Sequence, residues 1–168
     1  MTDAKDKLVE AYNRMVDELH AAVEKAEETL APTAEELLKN AEELARKAYA
    51  LTADEARSVA ESVKRDWADA RAYLQTEGKE LSQWFRFDLK QIEGRFMDLV
   101  AKAADKTWLD FSRFERETRE QTRYHTGEVC SPGTLRCTRC GQEMTFTRAT
   151  RIPPCPKCHK TEFERVVD

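Results

Sequence analysis

All five cysteines of this 168-residue chain lie in its last 44 residues. Four of them form two CxxC pairs, Cys137-Thr-Arg-Cys140 and Cys155-Pro-Lys-Cys158, separated by 14 residues. One CxxC turn aims two thiolates at a common point, so two such turns supply the four vertices of a tetrahedron, as in four-thiolate zinc sites. Gly141, directly after the first pair, can take the positive φ that such a knuckle requires. Pro154 and Pro156 stiffen the second pair. Between and after the pairs, Glu143 to Arg148 alternates like a strand and Thr161 to Arg165 is placed to pair beside it. The expectation is a zinc ribbon over residues 134–168, holding one Zn2+ per chain. Four thiolates close the metal shell and leave no vertex for water, so the ion has a structural role and no catalytic residue is assigned. With so few large apolar side chains nearby, metal binding supplies most of the ribbon's folding free energy. Loss of Cys137 or Cys155 should then unfold the ribbon while the helices persist.

The same residues admit other chemistry. Cys155-Pro-Lys-Cys158-His159 matches the CxxCH signature of covalent haem attachment, which would leave Cys137 and Cys140 unexplained. A thioredoxin-like redox pair needs a βαβ context that the sequence lacks, whereas a rubredoxin-like iron cage would use the same four ligands. Cys130, seven residues before the first knuckle, reads as a free thiol in a connecting segment, and His159 as a surface residue beside a ligand. His20 has nothing to pair with and is given no role.

The elements that must position this site precede it. Apolar residues recur in steps of three and four, first as Leu8, Tyr12, Met15, Leu19, Ala22 and Ala26, then as Leu37, Ala41, Leu44, Ala48 and Leu51. A third stripe runs Val59, Val63, Trp67, Ala70 and Leu74. A fourth runs Leu81, Phe85, Leu89, Ile92, Phe96, Leu99 and Ala103, and Trp108, Phe111 and Phe114 begin a fifth. Thr33-Ala-Glu-Glu36 and Thr52-Ala-Asp-Glu55 have the form of capping boxes. The fold class expected is mainly α: long amphipathic helices forming a bundle or coiled coil, followed by a small C-terminal β zinc ribbon. Residues 1–124 form the helical domain, with helices over roughly 3–30, 34–50, 53–77, 79–103 and 106–121, and residues 125–133 are a linker. Aromatic residues concentrate between Trp84 and Phe114, where the main core is expected. The alanine-rich stripe of the first 50 residues reads as an arm that self-associates or docks on another protein.

Composition narrows the function classes. The chain is 36% charged with a net charge of −4, and its mean hydropathy is −0.74. No run approaches the roughly 20 apolar residues of a membrane span, and Met1 to Glu10 lacks the features of a secretory signal. A cytoplasmic, reducing location is expected, in which paired cysteines hold metal rather than form disulfides. Residues 1–124 carry 21 basic and 27 acidic side chains and the last 44 residues carry 7 and 5, so no strongly basic nucleic-acid coat is present.

The cysteine pairs, together with Tyr124-His-Thr-Gly-Glu-Val129, Gly133-Thr-Leu-Arg-Cys137, Phe163-Glu-Arg165 and, upstream, Leu51-Thr-Ala-Asp-Glu55, Val63-Lys-Arg-Asp66 and Asp105-Lys-Thr107, resemble the YbeL-like bacterial proteins, described as zinc-ribbon-containing. The resemblance covers most of the chain. It implies a helical N-terminal region and a C-terminal ribbon, with Cys137, Cys140, Cys155 and Cys158 as ligands, and names no biochemical activity. Two positions depart from the pattern: Cys130 replaces a small apolar residue, and His159 stands where Gly is usual.

These features suggest a non-enzymatic interaction or adaptor protein whose helical arm presents a structural zinc ribbon to a macromolecular partner. The alternative is nucleic-acid or ribonucleoprotein binding through Arg136, Arg139, Arg148, Arg151, Lys157 and Lys160, an excess that zinc and its four thiolates partly offset. Tyr124, His125 and Glu128 read either as a hinge turned by Gly127 or as part of a partner-binding surface. No small-molecule substrate site is evident.

Overall fold

A computed structural model describes residues 4–26, 33–75, 95–105, 116–118 and 123–166. Among the described residues, helices α1 (Ala4–Lys25), α2 (Ala34–Ala48), α3 (Ala53–Gln75) and α4 (Arg95–Asp105) precede an antiparallel β region. The parts of the fourth and fifth expected helices over 79–94, 106–115 and 119–121, with most of the expected aromatic core, lie outside the described residues, as do 27–30 and 76–77 at the ends of the first and third.

Local chemistry accounts for the helix starts. The Thr33 hydroxyl accepts from the Glu36 amide at 3.2 Å while the Glu36 carboxylate accepts from the Thr33 amide at 3.2 Å. Thr52 and Glu55 repeat the exchange at 3.1 and 2.9 Å ahead of α3. Each pair satisfies two amides that have no partner inside the helix.

The alanine-rich arm is not a free surface. Ala11, Tyr12, Met15, Val16, Leu19 and Val23 of α1 are buried in one cluster with α2, α3 and α4. Small residues on α2 let the two helices approach closely, so the stripe is covered within the chain. On α2 the buried set is Ala34, Leu37, Leu38, Ala41 and Ala45, while Leu44, assigned to the stripe from its spacing, is 46% exposed. Leu37 and Leu38 are adjacent and both buried, so two rows share the first turns of α2, and further along packing covers Ala45 and leaves Leu44 outside.

The β region holds six strands: β1 (Tyr124–His125), β2 (Val129–Cys130), β3 (Gly133–Cys137), β4 (Glu143–Phe146), β5 (Thr150–Arg151) and β6 (Glu162–Arg165). β1-β6-β3-β4 form one antiparallel sheet, and β2 pairs with β5 beside it. Residues 125–133, expected as a linker, thus carry β2 and parts of β1 and β3. Glu128 caps the β1–β2 turn by accepting the His125 amide at 3.0 Å, and Gly127 turns the chain at φ +95°.

The ribbon is joined to the helices by shared packing. Val129 and Ala149 belong to the helical cluster, whereas Tyr124, Leu135, Ile152 and Phe163 form a second cluster with Cys130, Cys137 and Cys155. Helices that would persist unchanged without the ribbon are at odds with this arrangement, because its loss exposes Val129 and the surface of α1 and α3 beneath it.

Candidate metal centre

Cys137 ends β3 and Cys140 lies in the turn to β4; Cys155 and Cys158 lie in the loop before β6. The two knuckles share one backbone design. In the first, the Gly141 amide donates to the Cys137 carbonyl at 3.0 Å and the Cys137 amide to the Gln142 carbonyl at 2.8 Å. In the second, His159 donates to Cys155 and Cys155 to Lys160, both at 2.9 Å. Each hairpin requires a left-handed residue after its second cysteine. Gly141 takes it at φ +76° and His159 at φ +60°. His159 therefore occupies a position that suits glycine, and its appearance in a CxxCH string follows from knuckle geometry rather than haem chemistry.

The four sulfurs all lie within 4.8 Å of one another. Cys137 Sγ is 3.5 Å from Cys158 Sγ, and Cys140 Sγ is 3.6 Å from Cys155 Sγ. A tetrahedron with Zn–S bonds of about 2.3 Å has edges of about 3.8 Å, so this donor set fits a tetrathiolate metal. Sulfurs converging across the two pairs are poorly placed for thioether links to a haem outside the cluster. The knuckle amides also favour thiolates. The Cys140 amide, then that of Arg139, draws Cys137 below the usual thiol range against its burial. Burial would raise Cys155, but the amides of Cys158 and Lys157 bring it to about 6. Cys158, which the Lys160 amide would lower, is pushed up to about 12 by the other three sulfurs crowded around it, a repulsion that a bound cation would relieve.

The sequence match agrees with this geometry. A family model described as a zinc-ribbon containing domain matches residues 14–167, from within α1 to beyond β6. The chain belongs to this zinc-ribbon containing family. Relatives include the uncharacterised protein YbeL of Escherichia coli, in three strains, 27% identical over 116 residues that cover 68% of this chain and 71% of the relative. No solved structure matches the chain. The names of these relatives assign no enzymatic activity.

Within this zinc-ribbon protein the other sequence-selected residues fall into three groups. Arg139, Arg148, Lys157 and Lys160 are exposed, with Arg139 and Lys157 each just before the second cysteine of a knuckle. Arg136 is bound to Glu143 at 2.9 Å across β3 and β4, and Arg151 is half-buried in β5. Tyr124 is fully buried, whereas His125 and Glu128 line a groove of about 330 Å³ against Ser58, Ser62 and Arg65 of α3.

A polar cluster that the cysteine spacing and the apolar stripes do not mark lies between α3 and the ribbon. Asp66 accepts from the Tyr12 hydroxyl at 2.6 Å, the Ser131 amide at 2.8 Å and Arg165 Nη2 at 3.2 Å. Arg165 also donates to the Ser131 hydroxyl at 3.0 Å and the Pro132 carbonyl at 3.3 Å. Arg65 donates to Glu128 at 2.6 Å and to the Val129 carbonyl at 3.2 Å, and lies 3.9 Å above the Tyr124 ring. The Tyr124 hydroxyl donates to Asp69. A signal was available: Asp66 is three residues after Val63 and four before Ala70, a charged residue on the buried row of α3.

The cluster makes stability sensitive to alkali. Burial raises the Tyr12 and Tyr124 phenols well above their ordinary value and the Cys130 thiol to about 12. All three stay protonated in the folded chain after the unfolded chain has released its protons, so their contribution is complete below pH 9 and falls as pH rises toward about 12. Thermal denaturation should show a falling Tm above about pH 9. Cys130→Ala should make the slope of stability shallower by up to about 1.4 kcal/mol per pH unit; an unchanged slope would mean the thiol is not held protonated.

Proposed function

We propose that this chain is a non-enzymatic zinc-binding adaptor, in which the helical region supports a structural zinc ribbon and presents it to a macromolecular partner in the cytoplasm. The observation that carries this reading is the closed set of four cysteines in a ribbon fixed to the helices. One Zn2+ per chain, bound by Cys137, Cys140, Cys155 and Cys158, leaves no coordination position for substrate or water. Its role is to hold the two knuckles at a fixed separation. Because the apolar face of α1 is covered within the chain, the partner surface assigned is the ribbon, with the groove at His125 and Glu128 beside it. In this reading the helical domain ends near Tyr124, and the strands of 125–133 join it to the ribbon.

Nucleic-acid binding is the second reading, favoured by the exposure of Arg139, Arg148, Lys157 and Lys160. Phosphate contacts by these groups would make binding strongly salt-dependent. The two readings separate in one affinity purification from native cells at low salt, with and without nuclease, comparing the wild-type chain with Arg139→Ala/Lys157→Ala/Lys160→Ala. The adaptor reading expects protein partners that survive nuclease. Recovery that disappears with nuclease and with the triple variant supports nucleic acid instead.

A further inference from the structure

We infer that the zinc ribbon is the counter-ion of the helical region, so that metal occupancy controls the order of α3 through Arg165, Tyr124 and Glu128, a metal-gated conformational switch built across the two parts of the chain. The inference rests on metal binding at the four-cysteine site.

Asp66 has no exposed surface, and among the described residues its hydrogen-bond donors are Tyr12 of α1 and, from the β region, the Ser131 amide and Arg165. The donor to Asp69 is the Tyr124 hydroxyl, and Arg65 donates to Glu128 and the Val129 carbonyl while lying 3.7 Å from its neighbour Asp66, with which it makes no hydrogen bond. A buried charge is tolerated only while paired. Without the ribbon, α3 would keep the Arg65–Asp66 contact at 3.7 Å but lose every hydrogen bond that the β region makes to Arg65, Asp66 and Asp69, on a face built to be covered and with Val129 withdrawn from the apolar cluster.

A short path links these partners to the metal ligands. In the sheet, Phe163 of β6 stands opposite Cys137 on one side and Tyr124 on the other. Phe163 is fully buried, and Arg165 follows it on the same face of β6, two residues along. The metal fixes Cys137 at the end of β3, β3 holds β6 in register, and β6 presents Arg165 to Asp66 while holding β1 and Tyr124. Loss of the metal releases the β3–β6 register and with it both partners of α3.

The test is hydrogen exchange on the full-length chain in reducing buffer, zinc-loaded, after chelation, and after zinc is restored, with metal content measured in each state. The expected result is that amides of residues 62–70 in α3 lose protection together with the ribbon, by roughly tenfold or more, and regain it with zinc. In Asp66→Asn, which removes the buried charge but keeps an acceptor for Tyr12 and Ser131, the loss should be several-fold smaller. Ribbon amides that exchange freely while residues 62–70 stay protected would overturn the inference and leave the metal site intact as a reading. An equal loss in Asp66→Asn would overturn the Asp66–Arg165 pair as a carrier of the coupling, which would then run through Tyr124, Glu128 and Val129. A chain that takes up no metal sinks both readings. The wild-type comparison decides whether or not the variant folds.

Discussion

Cys155→Ser is expected to abolish stoichiometric metal retention and unfold the ribbon. Cys155 is fully buried, its sulfur faces Cys140 at 3.6 Å, and it belongs to the small apolar cluster of Tyr124, Leu135, Ile152 and Phe163. That cluster alone is too small to stabilise a segment of this length. Structural zinc contributes on the order of 10–16 kcal/mol in isolated zinc-finger peptides, so loss of one of four ligands removes the largest single favourable contribution. Serine is close in size but is a weak zinc ligand, so the effect comes from coordination rather than from a cavity. Amide NMR in the presence of one equivalent of zinc is the direct measurement: the ribbon resonances should collapse to random-coil positions. Cys130→Ser, the same substitution outside the ligand set, should retain metal and dispersion. A dispersed ribbon spectrum for Cys155→Ser would show that the strands fold without the tetrathiolate.

Much of this arrangement was legible in the sequence because the relevant signals are short and strict. Two CxxC pairs at ribbon spacing can converge in few ways, and Thr-x-x-Glu at each helix start satisfies specific amides whatever the rest of the chain does. Burial depends on partners, and there the reading was less sharp. Leu37 and Leu38 offer two equally good rows on α2, and the choice that exposes Leu44 is made by α1 and α3. Residues 125–133 read as a linker because β1 and β2 are two residues each, too short for alternation to show. Cys130 looked like a bystander in that segment and proves fully buried beside the Asp66–Arg165 pair. The largest omission, the polar cluster itself, joins residues up to 99 positions apart. No local pattern encodes that distance, although Asp66 on an apolar row announced that some partner must exist.

Those distant partners carry the other large effect. Arg165→Met should destabilise the zinc-loaded chain by about 3–5 kcal/mol, the usual cost of leaving one member of a buried ion pair without its partner. The side chain is 4% exposed and that of Asp66 is 0% exposed, so water cannot replace the guanidinium. Met preserves most of the aliphatic length, which confines the loss to charge and hydrogen bonds. Asp66→Asn should cost less, since the amide oxygen can still accept from Tyr12 and Ser131. The double variant Asp66→Asn/Arg165→Met should be less destabilised than the sum of the two singles, because neither charge is then left unpaired. Urea denaturation of the four proteins with zinc saturated gives this cycle directly, and equal metal content across them keeps the comparison on the Asp66–Arg165 pair rather than the knuckles. Additive costs would mean that Arg165 stabilises through Tyr124, Ser131 and Pro132 rather than through Asp66. A non-additive result places an energetic link between ribbon and helix at Asp66, a buried carboxylate whose donors come from both.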